Sequence, residues 1–455
     1  MGYFSRNDMK KEKHNMSAFE KVIGYESIKA ELLQICDQMK NKDVYEALGA
    51  KLPQGLLLYG DPGLGKTLMA KCFIEESGLP AYVIRKNRGS DDFIGEIAEA
   101  FRKAKENAPI IVFLDDMDKF ANEDYRRKDT EEYVAVQAGI DEVKGTGVFV
   151  LATANDIDKF PDSLIRAGRF DKQIEVERPT NRDADEIIRH YLEDKKVADS
   201  VDMDDLTKMI SYRSCAELES ILNEAAILAA HQRKEQIEMD DLLKAVLRKE
   251  YNVPDNFTEM PAEDLQRTAL HEAGHLVVSE MLCPESVGLA SIKGRSRGSS
   301  AGFIHRCAGI GSPEDHVLIA LAGKAAVELY YADYCTDGCS DDLRKAYRCI
   351  RDMMAENATH GFGMLDVANT RSYGDTSESL NARNESVVQA ALERYMITTR
   401  NILLRNRAFL EAVANALIQK KTLLFSDIRK IREQVNAEAE RELEKWVEKV
   451  GEQSA

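Results

Sequence analysis

The sequence predicts a multidomain α/β plus all-α chain: a parallel sheet covered by helices, a small helical lid, then a mainly helical second half. Three observations carry this. Short apolar runs alternate with helical patterns as far as Arg178-Pro179, the signature of a parallel sheet covered on both faces. Beyond that point strand signals stop and helical spacing takes over. At 455 residues the chain is also too long for one ordinary core.

In chain order, residues 1–17 form an opening segment. Ser17 to Met39 leads into a helix with apolar positions at Ile28, Leu32, Leu33 and Ile35. A large α/β domain is expected over 18–179. Its strands are the G-L-L-L-Y run from Gly55, Ala81 to Ile84, Ile110 to Leu114 and Val148 to Ala152. T-L-M-A-K-C-F-I and Phe93 to Glu106 read as helices. Residues 180–250 read as a helical domain, notably Asp183 to Leu192 and Ala216 to Arg233. A proline-bearing linker follows at 251–262. Residues 263–435 open with a helix from Glu263 to Met281, pass through a Gly- and Ser-rich stretch with strand-like pieces (Val287 to Arg306), and continue mostly helical. A charged helix or tail occupies 436–455, and a stripe of Ile428, Ile431, Val435, Ala439, Leu443 and Trp446, spaced by three and four, runs into it from the preceding segment.

Charge and composition exclude several classes. A net charge of −17 argues against nucleic acid as a partner, because phosphate binding needs a basic surface. No run approaches the roughly 18–20 apolar residues that span a bilayer. The N-terminus lacks the apolar core of a secretory signal. Eight scattered cysteines read as reduced thiols, so a cytoplasmic location is expected.

G-D-P-G-L-G-K-T follows an apolar strand and opens a helix, the context that gives this motif meaning. Gly60, Asp61, Pro62, Gly63, Leu64, Gly65, Lys66, Thr67 and Leu68 are the expected nucleotide contacts. The glycines let backbone amides cradle phosphate oxygens at a helix N-terminus. Lys66 adds a cation and the Thr67 hydroxyl a magnesium ligand, implying ATP with Mg²⁺. The strand I-I-V-F-L ends in Asp115, expected to hold magnesium through water, and Asp116, expected to polarise the attacking water. Both stand at the carboxyl edge where open α/β sheets bind ligands.

The second site is H-E-A-G-H. Residues four apart share a helix face, so His271 and His275 can bind one Zn²⁺. Glu272 lies near the open coordination position and is the expected general base. A catalytic zinc needs a third protein ligand. Cys335 and Cys339 are candidates by chemistry alone; His305 and His360 read as structural or surface residues.

With A-T-A-N at Ala152 to Asn155 and L-I-R-A-G-R-F-D at Leu164 to Asp171, the first half resembles the AAA ATPases. The resemblance implies that Asn155 positions the hydrolytic water. It also implies that Arg166 and Arg169 are arginine fingers reaching a neighbouring subunit's nucleotide, hence a homohexameric ring. The whole chain from about Phe19 to Gln434 is similar to the FtsH family. C-A-E-L-E-S-I-L-N-E-A-A marks the lid, and H-E-A-G-H is followed by L-A-G-K-A-A-V-E (Leu321 to Glu328) and G-C-S-D-D-L (Gly338 to Leu343). By that resemblance the third ligand is Asp342, with Asp341 the alternative, and Phe93, Ile94 and Gly95 match the triplet that grips polypeptide in the pore. Three departures stand out. The family usually has Glu where this chain has Asp116, so hydrolysis is expected to be retained but slow. The segment around Phe93 is shorter, and the transmembrane helices that normally precede the motor are missing here.

The expectation is an ATP-dependent zinc metalloprotease that unfolds loosely folded proteins and cuts them processively. The rivals are an ATP-gated peptidase and a remodelling ATPase with a non-proteolytic C-terminal domain.

Overall fold

The computed structural model describes residues 17–86, 92–120, 130–166, 168–253, 261–296, 299–309, 311–331, 339–356 and 378–453. The chain divides into two compact units, residues 1–193 with 212–220, and residues 194–211 with 221–455.

In the first unit, α1 (Glu26–Lys40) and α2 (Lys42–Ala47) precede the sheet. Then come β1 (Gly55–Tyr59), α3 (Lys66–Ser77), β2 (Ala81–Ile84), α4 (Phe93–Glu106), β3 (Ile110–Leu114), α5 (Thr130–Glu142), β4 (Val148–Ala154), β5 (Lys172–Glu175) and α6 (Asn181–Leu192). The five strands are all parallel, in the order β2-β3-β4-β1-β5. Every residue of β3 and β4 is buried, which is why those strands read as unbroken apolar runs. The edge strand β5 escaped the sequence reading. Of its four residues, K-Q-I-E, only Ile174 is buried, so it carries almost no hydrophobic signal.

Helix α4 buries Phe93, Ile97, Phe101 and Ala104, one face at spacings of three and four, against Val136 and Ile140 of α5, Val143 just beyond it, and the sheet. Phe93, read as a pore residue, is therefore placed in the core: it is 5% exposed and meets Phe120 edge to face at 5.2 Å. The Asp92 carboxylate caps the helix by accepting from the Gly95 amide at 2.9 Å. Of the triplet, Ile94 has the exposed side chain. Phe93→Ala is expected to destabilise this unit by about 3–5 kcal/mol. Chemical denaturation checks this, and an unchanged midpoint would return Phe93 to a surface role.

Chain order then gives α7 (Met203–Met209), α8 (Cys215–His231) and α9 (Met239–Tyr251). They are followed by α10 (Ala262–Leu282), β6 (Val287–Ser296), β7 (Ser299–Arg306), α11 (Pro313–Tyr331), α12 (Cys339–Glu356), α13 (Glu378–Arg405), α14 (Arg407–Lys420), β8 (Thr422–Leu424) and α15 (Phe425–Gln453). In the second unit, β7-β6-β8 form an antiparallel sheet beside the helices. Strand β8 is three residues long, too short for its periodicity to register in the sequence. Asp205 of α7 caps α15, its carboxylate accepting from the Ser426 amide and hydroxyl at 2.7 Å each. That holds α7 to the sheet side of the second half. Most of the expected linker, with His360 and Cys335, lies outside the described residues.

The buried centre of this unit is α10 against α11. Small residues make that closeness possible. A Cβ on Gly274 would stand 2.5 Å from the carbonyl oxygen of Ala322, so the two backbones approach more nearly than any side chain there would allow.

Candidate active sites

The nucleotide site gathers the carboxyl ends of β1, β3 and β4. After β1 the chain turns through Gly63 (φ 81°) and Gly65 (φ 86°), left-handed conformations open to glycine. Helix α3 then begins at Lys66. Its ammonium donates to the carbonyls of Gly60 and Asp61 at 2.7 Å each and to Asn155 Oδ1 at 3.0 Å. Thr67 Oγ1 donates to Asp115 Oδ1 at 2.9 Å, pairing the two groups expected to share magnesium. Thr153 donates to the same oxygen at 2.9 Å and accepts from the Asp116 amide at 3.0 Å. Asn155 is fixed from behind, its amide and side chain donating to Asp118 at 3.2 and 3.4 Å. Thr153 and Asp118 carried no role in the sequence reading, although Thr153 lies inside A-T-A-N. Residues 212–220 close over the same loop: the Ala216 amide donates to the Gly63 carbonyl at 3.1 Å.

Asp116 is bound to two cations, Lys119 at 2.6 Å and Arg85 at 3.3 Å. Burial works to raise its carboxyl pKa, but Lys119 and Arg85 hold it below the usual carboxylate range. It is ionised at neutral pH and so able to accept a proton. Asp116→Glu is expected to raise ATP turnover by roughly tenfold; a steady-state phosphate-release rate equal to wild type would refute this.

The two arginines differ. Arg166 is exposed. Arg169 is 5% exposed and turned inward, donating to both oxygens of Asp141 at 3.0 and 2.6 Å and to the Ser163 carbonyl at 2.5 Å. Within this chain Arg169 braces its own loop, and Arg166 is the one free to reach outward.

In the second unit, α10 lays His271, Glu272 and His275 on its buried side, and α12 brings Asp342 to them. Asp342 Oδ2 stands 3.2 Å from Nε2 of each histidine, and the two Nε2 atoms are 3.0 Å apart. A tetrahedral ion with bonds of about 2.0–2.1 Å has ligand-to-ligand edges of about 3.3–3.4 Å. The triangle thus matches one face of such a site. His275 Nδ1 donates to the Ile319 carbonyl at 2.7 Å, which leaves the Nε2 lone pair facing the centre. Three acceptors converging in a buried pocket call for a cation. Burial opposes charge on His271, but Asp342 and Cys339 prevail and raise its pKa to about 10. The imidazoles in turn hold the Asp342 carboxyl well below the usual range, against the effect of burial. The donor set, two imidazoles and a carboxylate within bonding reach of one point, fits zinc.

Glu272 is 5% exposed, and burial pushes its carboxyl up although the two imidazoles pull it down. That is the direction a general base working near neutral pH requires. One glycine crowds Glu272 and another crowds the two histidines. A Cβ on Gly302 of β7 would stand 2.6 Å from Glu272 Oε1, and one on Gly323 of α11 would stand 2.5 Å from His275 Nε2. Neither carried a role in the sequence reading, although Gly323 lies inside the quoted L-A-G-K segment. Asp341 is turned away and paired with Arg344 at 3.0 Å. Cys339 is buried beside His271 but does not join the three converging ligands. His305 is buried on β7 and bonded to Ser211 at 3.3 Å, a structural placement.

Comparison with known proteins finds a family match over each half of the chain. Residues 56–178 match the ATPase family associated with various cellular activities (AAA), and residues 258–431 match peptidase family M41. The chain is 31% identical to ATP-dependent zinc metalloprotease FtsH 2 of Symbiobacterium thermophilum, over 91% of this chain and 74% of that protein. It is 30% identical to the FtsH of Caldicellulosiruptor bescii (91% and 71%) and to that of Thermus thermophilus (92% and 71%). Among the described residues no helix is long and apolar enough to cross a membrane. With family models matched in both halves and relatives matching along nine-tenths of its length, the chain belongs to the FtsH family of ATP-dependent zinc metalloproteases.

Proposed function

We propose that this chain hydrolyses peptide bonds at a zinc site and uses ATP hydrolysis to feed loosely folded proteins to it, as a homohexamer in a cytoplasmic setting. The observation that carries the reading is the buried triangle of His271, His275 and Asp342 with Glu272 beside it, in the same chain as a phosphate loop paired to Asp115. His271, His275 and Asp342 would hold the zinc, which would supply Lewis-acid chemistry at the scissile bond. Glu272 takes the proton of the attacking water and passes it to the leaving amine. In the motor, the phosphate loop, Lys66 and Thr67 bind ATP with magnesium beside Asp115. Asp116 and Asn155 orient water, and Arg166 reaches the neighbouring subunit. The working division is a motor over 18–179, a lid over 180–250, a linker over 251–262 and a peptidase over 263–435.

A second reading has one observation in its favour. The buried ring of Phe93 leaves no aromatic grip at the position expected for one, so nucleotide would gate the peptidase rather than drive threading. One experiment separates the two. A labelled, loosely folded protein is incubated with the zinc-loaded chain plus ATP, a non-hydrolysable analogue, or ATP and a zinc chelator. Coupled proteolysis requires cleavage with ATP only. Equal cleavage with the analogue establishes gating, and cleavage that survives the chelator overturns the zinc assignment.

A further inference from the structure

The two oxygens of Asp342 face different ways. Oδ2 points at the Nε2 atoms of His271 and His275, 3.2 Å from each. Oδ1 accepts from Nζ of Lys345 at 3.2 Å. Lys345 is three residues further along α12, so the helix itself brings its side chain alongside Asp342. The neighbouring acid makes a parallel pair of its own, Asp341 with Arg344. The difference is that Asp342 is 16% exposed and committed to the metal cluster, while Lys345, 70% exposed, approaches it from the solvent side.

A carboxylate beside a dication binds through one oxygen or through both. For a hydrolytic zinc the choice matters. Three protein atoms leave the fourth position for water and substrate, whereas a second carboxylate oxygen would fill it. Groups behind metal ligands commonly decide such questions by fixing ligand orientation. An ammonium suits the task, since it holds Oδ1 by charge and hydrogen bond without competing for the metal.

We propose that Lys345 is a positioning residue that keeps Asp342 a one-oxygen ligand and so keeps the zinc site open. The inference rests on the zinc reading above. Its test is made on the full chain loaded with cobalt(II), whose visible absorption is intense in four-coordinate sites and several-fold weaker in five-coordinate ones. Wild type and Lys345→Arg are expected to give the intense spectrum. Lys345→Met is expected to give a weaker one, with kcat for an unfolded protein substrate down about tenfold and KM within about twofold. Thermal unfolding of each variant, expected to be unchanged for so exposed a side chain, confirms the fold. A Lys345→Met spectrum that superposes on wild type overturns this inference alone. Failure of the wild-type chain to take up cobalt or zinc overturns the metal assignment and this inference with it.

Discussion

Glu272→Gln is expected to lower hydrolysis of an unfolded protein by at least about a hundredfold, the usual scale for a lost general base, while zinc stays bound. The substitution is nearly isosteric, which matters because the side chain is 5% exposed and the Gly302 backbone leaves it no spare room. The amide cannot accept the water's proton, yet the three metal-binding atoms belong to other residues. Metal content and turnover therefore separate: one zinc per chain by elemental analysis, with peptide cleavage near background. Cleavage within a few-fold of wild type would remove Glu272 from the chemistry and send the search to another base.

Gly323→Ala is expected to cost at least about a hundredfold in zinc affinity, at the upper end of what groups around metal ligands control. The added methyl would stand 2.5 Å from Nε2 of His275 and 2.6 Å from Nδ1 of His271, against the two rings that must aim at the ion. Separating the helices would relieve the clash only by opening α10 from α11 where Gly274 meets the Ala322 carbonyl. Stability should fall by only about 1–3 kcal/mol, typical of overpacking. The discriminating result is a folded chain that hydrolyses ATP and binds almost no zinc, measured by competition with a chelating dye. Wild-type zinc affinity would mean that α11 does not set the histidine geometry.

Residues with local roles were legible before the structure. The phosphate loop is a continuous run of backbone between one strand and one helix, so its residues declare themselves in order. His271 and His275 share a face because helix geometry puts residues four apart side by side. Strands β1, β3 and β4 showed as apolar runs because both faces of a central parallel strand are covered. Asp342 is different: it lies 71 residues from His271, and its assignment came from family resemblance rather than from spacing.

What the sequence by itself determined, then, is the order of domains, the chemical identity of both sites and the ligands within one helical turn of each other. Tertiary structure decided the rest. It turned Asp342 rather than Asp341 toward the histidines, packed Phe93 onto Phe120, and paired Arg169 with Asp141. The reason is physical. A motif states which groups are available, but which way a side chain faces depends on what the rest of the chain packs against it. An aromatic ring at the start of an amphipathic helix is equally consistent with a pore and a core until its neighbours are in place.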